Sequence, residues 1–122
     1  MPVPRITKEE LKSLLDADPT AVVVVDARLK YPYEHSTVRL PDAVRFQPGS
    51  TELTGVGPDR DIVLYDSDPE EITARSVAAL LIKQGYRARV LEGGIAAWVG
   101  ANLPIETKDA PKLAAPAGAA KS

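Results

Sequence analysis

The sequence predicts a single α/β domain, and three observations carry that prediction. Ala21–Val25 and Asp61–Tyr65 are short runs rich in β-branched and apolar residues with no polar alternation, as expected of strands covered on both faces. Apolar residues recur at helical spacing elsewhere, as Leu11, Leu14 and Leu15 and again as Val77, Leu80 and Leu81. Finally, Asp61 to Ser76 reads as strand, acidic loop and helix without interruption. α/β proteins build ligand sites this way, because such a loop lies outside the strand's carboxyl end and the helix supplies free N–H groups.

The elements follow in order. Ile6-Thr7-Lys8-Glu9-Glu10-Leu11 predicts a helix start, with Thr7 as N-cap, Glu10 completing a capping box, and Ile6 and Leu11 placed as a hydrophobic staple. Asp18-Pro19 ends that helix, since the residue before proline is pushed out of the α region. Ala21–Val25 is the first core strand, and Asp26-Ala27-Arg28 stands at its exit, where Asp and Arg bond loop backbone or Arg28 points toward the site crevice. Leu29 to Arg39 reads as an irregular connection, and its His35, the only histidine, as a solvated residue. A turn at Leu40-Pro41-Asp42 leads into a short strand, Ala43 to Phe46. Pro48 to Pro58 reads as a surface connection with one helical turn near Thr51 to Leu53. After the strand Asp61–Tyr65, a helix is expected from about Glu71 to Gln84, stopped by Gly85. Arg87–Leu91 is a further strand, Gly93-Gly94 a tight turn, and Ile95 to Val99 a short helix whose Trp98 packs in the core. Residues 1–107 form the expected domain. From Lys108 to Ser122 alternating Ala and Pro offer too little apolar bulk to offset ordering entropy, so a disordered tail is expected.

Composition narrows the function. A chain of 122 residues, 44% hydrophobic and 26% charged, is one globular domain able to bury a core. Its net charge of −2 gives no basic footprint for nucleic acid. No apolar run reaches membrane-spanning length, and Met1-Pro2-Val3-Pro4-Arg5 has no signal-peptide character, so a cytoplasmic protein is expected. There is no cysteine. Disulfides, thiolate nucleophiles and thiolate metal sites are thereby excluded.

Several motifs together resemble the rhodanese-like domain family: Val24-Val25-Asp26-Ala27-Arg28, Leu40-Pro41-Asp42-Ala43, Ile62-Val63-Leu64-Tyr65 before the loop, Gly85-Tyr86, and Leu91-Glu92-Gly93-Gly94-Ile95-Ala96-Ala97-Trp98 with Pro104 after it. The resemblance spans about Ile6 to Glu106. It implies a five-stranded, mainly parallel sheet flanked by helices on both faces. It also implies an active-site loop at Asp66 to Ile72, in which active members carry at position 66 a cysteine that accepts a sulfane sulfur. Here Asp66 occupies that place, and Asp68 replaces a second cysteine of the subgroup this loop most resembles. Pro69, Glu71 and Thr73 keep that subgroup's pattern. The family's Gly-His ahead of the Ile-Pro-Gly-Ala turn is replaced by Val38-Arg39, with Asp42 in place of Gly.

A carboxylate cannot form a stable persulfide, and cysteine-type phosphatase chemistry also needs a thiolate. The domain is therefore expected to be catalytically inactive, an inactive homologue of thiosulfate sulfurtransferases with no cofactor and no metal. It is read as a binding or regulatory module whose protein partner presents a basic side chain or tail. The remnant loop is Asp66, Ser67, Asp68, Pro69, Glu70, Glu71 and Ile72, with Arg28, Tyr65 and Arg75 as candidate pocket neighbours. Four carboxylates, Asp66, Asp68, Glu70 and Glu71, lie within six positions and oppose an incoming anion. Two local readings stay open: Asp66 folds its own carboxylate into the N–H cradle, or Asp68 and its neighbours cap the helix. Two alternatives for function accompany them. One is an Asp-nucleophile, Mg-dependent phosphatase-like activity at Asp66-Ser67-Asp68, whose Asp-x-Asp after a strand resembles haloacid-dehalogenase-type phosphatases; the other is a residual sulfurtransferase-family role in sulfur metabolism.

Overall fold

The structure is a computed structural model that describes residues 3–53, 55–67 and 70–107. Its elements are β1 (Arg5–Ile6), α1 (Lys8–Ala17), β2 (Val22–Asp26), α2 (Lys30–His35), β3 (Val38–Arg39), β4 (Val44–Arg45), β5 (Asp61–Tyr65), α3 (Ile72–Lys83), β6 (Arg87–Leu91), α4 (Gly94–Gly100) and β7 (Glu106–Thr107). The main sheet runs in the order β1-β6-β5-β2-β4 with every pair parallel, and β3 and β7 form a separate antiparallel ribbon.

The sheet divides the core in two because successive side chains of a strand point to opposite faces. Val22, Val24, Val63 and Tyr65 join Leu11 of α1 and Ile95 and Trp98 of α4 on one face. Val25, Ile62, Leu64, Ala88 and Val90 meet Ala74, Ala78 and Leu81 of α3 on the other. The unalternating valines of β2 are thus explained, since both faces are covered. Small Ala74 and Ala78 let α3 sit close to the sheet, while Val77 and Leu80, expected to share the buried stripe with Leu81, pack only at its margin.

Local signals set the helix ends. The Thr7 hydroxyl accepts from the Glu10 N–H at 3.1 Å, and the Glu10 carboxylate accepts from the Thr7 N–H at 2.9 Å, closing the capping box. Ile6 and Leu11 are both buried in one cluster, as a staple requires. α3 ends in a Schellman arrangement: Gly85 N–H donates to Ile82 C=O at 3.0 Å and Tyr86 N–H to Leu81 C=O at 3.1 Å, with Gly85 at φ +97°. α4 begins at Gly94, one residue ahead of the expected start, and Trp98 is fully buried with its indole N–H on Pro104 C=O at 2.6 Å.

Two expectations need correction. Leu29 to Arg39 is not irregular, because α2 occupies Lys30–His35 and tolerates Pro32 in its first turn, where no intrahelical N–H is needed. No helical turn forms over Thr51 to Leu53; Leu53 is instead drawn into the α3-side core, and the Ser50 side chain bonds Glu52 backbone. Beyond these two corrections, Arg5 and Ile6, for which no strand was expected, pair with Val90 and Leu91 as the edge strand. The expected tail from Lys108 to Ser122 lies outside the described residues. Among the described residues no helix is long and apolar enough to cross a membrane. Because Trp98 fills the α1/α4 face, Trp98→Ala should cost about 3–5 kcal/mol in urea-unfolding free energy.

Candidate functional site

The chain order around the sheet reverses between β2 and β5, where β2 leads to β4 on one side while β5 leads to β6 on the other. Open α/β sheets hold their ligands beyond the strand ends at such a switch point. The ends meet here: Ala27 N–H donates to Tyr65 C=O at 2.9 Å, and Asp66 follows on β5.

Alternation along β5 directs Asp66 to the α3 face. It is 1% exposed, and its Oδ2 accepts the Ala74 N–H of the first turn of α3 at 2.6 Å. The residue before the helix cannot do this, because Glu71 is left-handed (φ +64°) and makes no side-chain cap. A carboxylate eight positions upstream therefore satisfies a first-turn amide, and the positive end of the helix favours its charge. On its other side, the Asp66 carbonyl accepts Ile95 N–H at 2.9 Å. Gly94 makes that approach possible: a Cβ there would fall far inside contact distance of the Asp66 carbonyl oxygen.

Glu71 closes the loop. Its carboxylate is 2% exposed and takes two hydrogen bonds from Arg5, Nε to Oε1 at 2.8 Å and Nη2 to Oε2 at 2.7 Å. Gly93 N–H adds a third at 3.1 Å, and Arg75 Nε stands 3.8 Å from Oε1. The Arg5 hydrogen bonds, against the opposing effect of burial, hold the Glu71 carboxyl below its ordinary 4.5.

The remaining candidates are placed as follows. Arg28 lies buried against Asp26, with Nη2 to Oδ2 at 2.7 Å and Nε to Oδ1 at 3.0 Å, and also donates to Val38 C=O at 3.1 Å. Burial works to lower its pKa, but the hydrogen bonds and charge of Asp26 outweigh that and raise it above the ordinary guanidinium value. Its guanidinium carbon is 5.5 Å from the Tyr65 ring centroid and 5.3 Å from that of Tyr33. Tyr65 is fully buried on the face away from α3; desolvation, then the charge of Asp26, raises its phenol above the ordinary 10.0. Arg75 is half-exposed and donates to Glu70 C=O at 2.6 Å. Glu70 and Ile72 are exposed, Ser67 is half-buried, and Asp68 and Pro69 lie outside the described residues.

The structure thus brings Asp66, Glu71 and Arg75 to one loop and sets Arg28 and Tyr65 beneath the sheet's opposite face. Two of the four carboxylates expected to form a negative mouth are turned inward. Arg5, Gly93 and Gly94 were missed as parts of this site. Only the double glycine gave a sequence signal, since an Arg–Glu pair 66 positions apart leaves none. Among the described residues no group of acidic or histidine side chains is arranged to hold a metal ion.

The sequence model of the rhodanese-like domain family matches residues 7–101. The chain belongs to that family. Solved structures agree in fold. A full-length protein from Lactobacillus plantarum superposes with a TM-score of 0.76 at 22% identity, covering 84% of this chain and 87% of that one. A Rhodopseudomonas palustris protein of unknown function, a possible tyrosine phosphatase, gives 0.66 at 22% identity over 85% of each chain. A thiosulfate sulfurtransferase from Pseudomonas aeruginosa gives 0.71 at 22% identity, over 88% of this chain but 20% of its own. No curated protein matches the sequence.

Two measurements check this geometry. Asp66→Ala leaves the Ala74 N–H without its acceptor and should cost about 1–3 kcal/mol in denaturant unfolding, whereas Asp66→Asn, which keeps an acceptor oxygen, should cost less. Glu71 has a folded pKa below its unfolded value, so its contribution is fully present above about pH 4.5 and is lost as pH falls through the folded value. Acid unfolding of Arg5→Met should show a shallower pH dependence across that window than the parent chain.

Proposed function

We propose that this rhodanese-like domain performs no sulfur transfer and acts as a protein-binding or regulatory module. The observation that carries the reading is Asp66. It stands where the family resemblance places the sulfur-accepting cysteine, and its carboxylate is already committed to the Ala74 amide. The chain has no other thiol to take over the reaction. A hard oxygen anion held in the amide cradle neither accepts a sulfane sulfur nor leaves room for an anionic donor.

The partner is read as a protein that meets the exposed rim of the loop. Glu70 is the exposed carboxylate of the described loop and suits a basic side chain or tail. Leu29 and Ile72, 52% and 60% exposed, supply apolar contact at the same end of the sheet. Leu29 also lines a groove of about 200 Å³, together with Phe46, Thr73 and Val77 among others. Apolar residues flanked by charge are typical of a binding rim.

The phosphatase-like alternative at Asp66-Ser67-Asp68 requires the Asp66 carboxylate as attacking group and metal ligand. Its burial and its bond to the Ala74 amide weigh against that use. A residual role in sulfur metabolism would then be exerted through the partner.

Purified protein incubated with thiosulfate and cyanide should yield thiocyanate at the buffer rate; turnover that persists through further purification would overturn the reading. Once a partner is identified, Glu70→Lys combined with Ile72→Asp should weaken its binding at least tenfold in a titration. Equal affinity of the parent and doubly substituted chains would remove the loop rim from the interface.

A further inference from the structure

At the opposite end of the sheet lies a second concavity, of about 580 Å³, lined by Val3, Pro4, Ala79, Ile82, Tyr86 and Ala88 together with the charged residues Asp61, Lys83, Arg87 and Arg89. Its origin is legible in the chain. β1 is two residues long and pairs only with Val90 and Leu91, so Arg87 to Arg89 have no strand partner on that edge among the described residues. Pro4, which lacks an N–H, stands where the ladder would continue. The last turns of α3 overhang this gap. The two residues that could fill it, Ala79 on the helix and Ala88 on the strand, are among the smallest available.

The lining is apolar with a basic edge. Arg87 is bound to Asp61 at 2.6 Å, so those two charges cancel. Arg89, also in the lining, is flanked by two carboxylates on which its charge acts, Asp61 and Glu10 of α1. Lys83 remains at the edge of the cavity, forming no ion pair or hydrogen bond among the described residues. A volume of this size with mostly apolar walls and few polar groups is the form of a small-molecule site.

We infer that this cavity binds an apolar monoanion, a medium-chain fatty carboxylate or an aryl carboxylate. The hydrocarbon body covers Ala79, Ile82, Tyr86 and Ala88, and the single charge meets the Lys83 ammonium. The site is separate from the Asp66 loop, so it stands or falls independently of the reading given above. The charge excess selects the ligand: a neutral hydrocarbon leaves Lys83 unused, and a multiply charged anion cannot be desolvated against apolar walls.

Isothermal titration of the full chain with dodecanoate, below its micelle concentration, tests this, with dodecanol as the uncharged comparator. Saturable one-to-one binding is expected, weaker for dodecanol. Lys83→Gln should weaken dodecanoate by about two- to fivefold, as for a partly exposed ion pair. Ala79→Leu, at a half-buried helix position that accepts a larger side chain, should reduce binding more than tenfold while thermal unfolding stays cooperative. Ile82→Gln, at an exposed position, gives a second variant with the same expectation of weakened binding. Absence of saturable binding, undiminished binding in Ala79→Leu, or equal affinity for dodecanoate and dodecanol overturns the proposal. So does self-association of the parent chain that Ala79→Leu abolishes, which would assign the groove to a second copy.

Discussion

The buried carboxylate of Glu71 ties together three parts of the chain that are far apart in sequence. Arg5 belongs to the edge strand, Gly93 to the turn ahead of α4, and Glu71 itself to the loop ahead of α3. A buried charge is tolerable only when its partners are complete. Here a bidentate guanidinium and a backbone amide complete it, and the left-handed backbone of Glu71 aims the carboxylate inward. The edge strand is two residues long, and a pair so short has little hold of its own. The Arg5–Glu71 fork reinforces it at the carboxyl end, just where the candidate site lies.

With that anchor in place, the loop is stitched along both margins. Asp66 bonds α3 through its side chain and α4 through its carbonyl, while Glu71 bonds the turn between β6 and α4. The loop thus lies between the amino end of α3 and the Gly93-Gly94 turn. It holds a fixed protein carboxylate. Among the described residues of the loop, the carboxylates of Asp66 and Glu71 are internal and structural, and that of Glu70 is outward.

How much of this was legible depended on the range of the interaction. The Thr7–Glu10 capping box, the Gly85 stop and the burial of Trp98 are each fixed by residues within a few positions of one another, and the sequence displays them. β1, β3 and β7 are two-residue strands defined by partners far along the chain, so no local pattern marks them. α2 was obscured by Pro32, which reads as a breaker unless one knows that it falls in a first turn. The Asp-x-Arg pair at Asp26 and Arg28 announced itself, but its direction did not. The ion pair is folded upon itself and onto Tyr65 and Tyr33 beneath the sheet.

The bond between Asp66 and the Ala74 amide constrains what else can stand at position 66. Placing a cysteine at position 66 would supply a thiol and, in the same step, remove the acceptor that satisfies the first turn of α3. Sulfur accepts hydrogen bonds weakly, so that variant would be less stable than the parent chain. The position is thus held by backbone hydrogen bonding, whatever chemistry the loop serves.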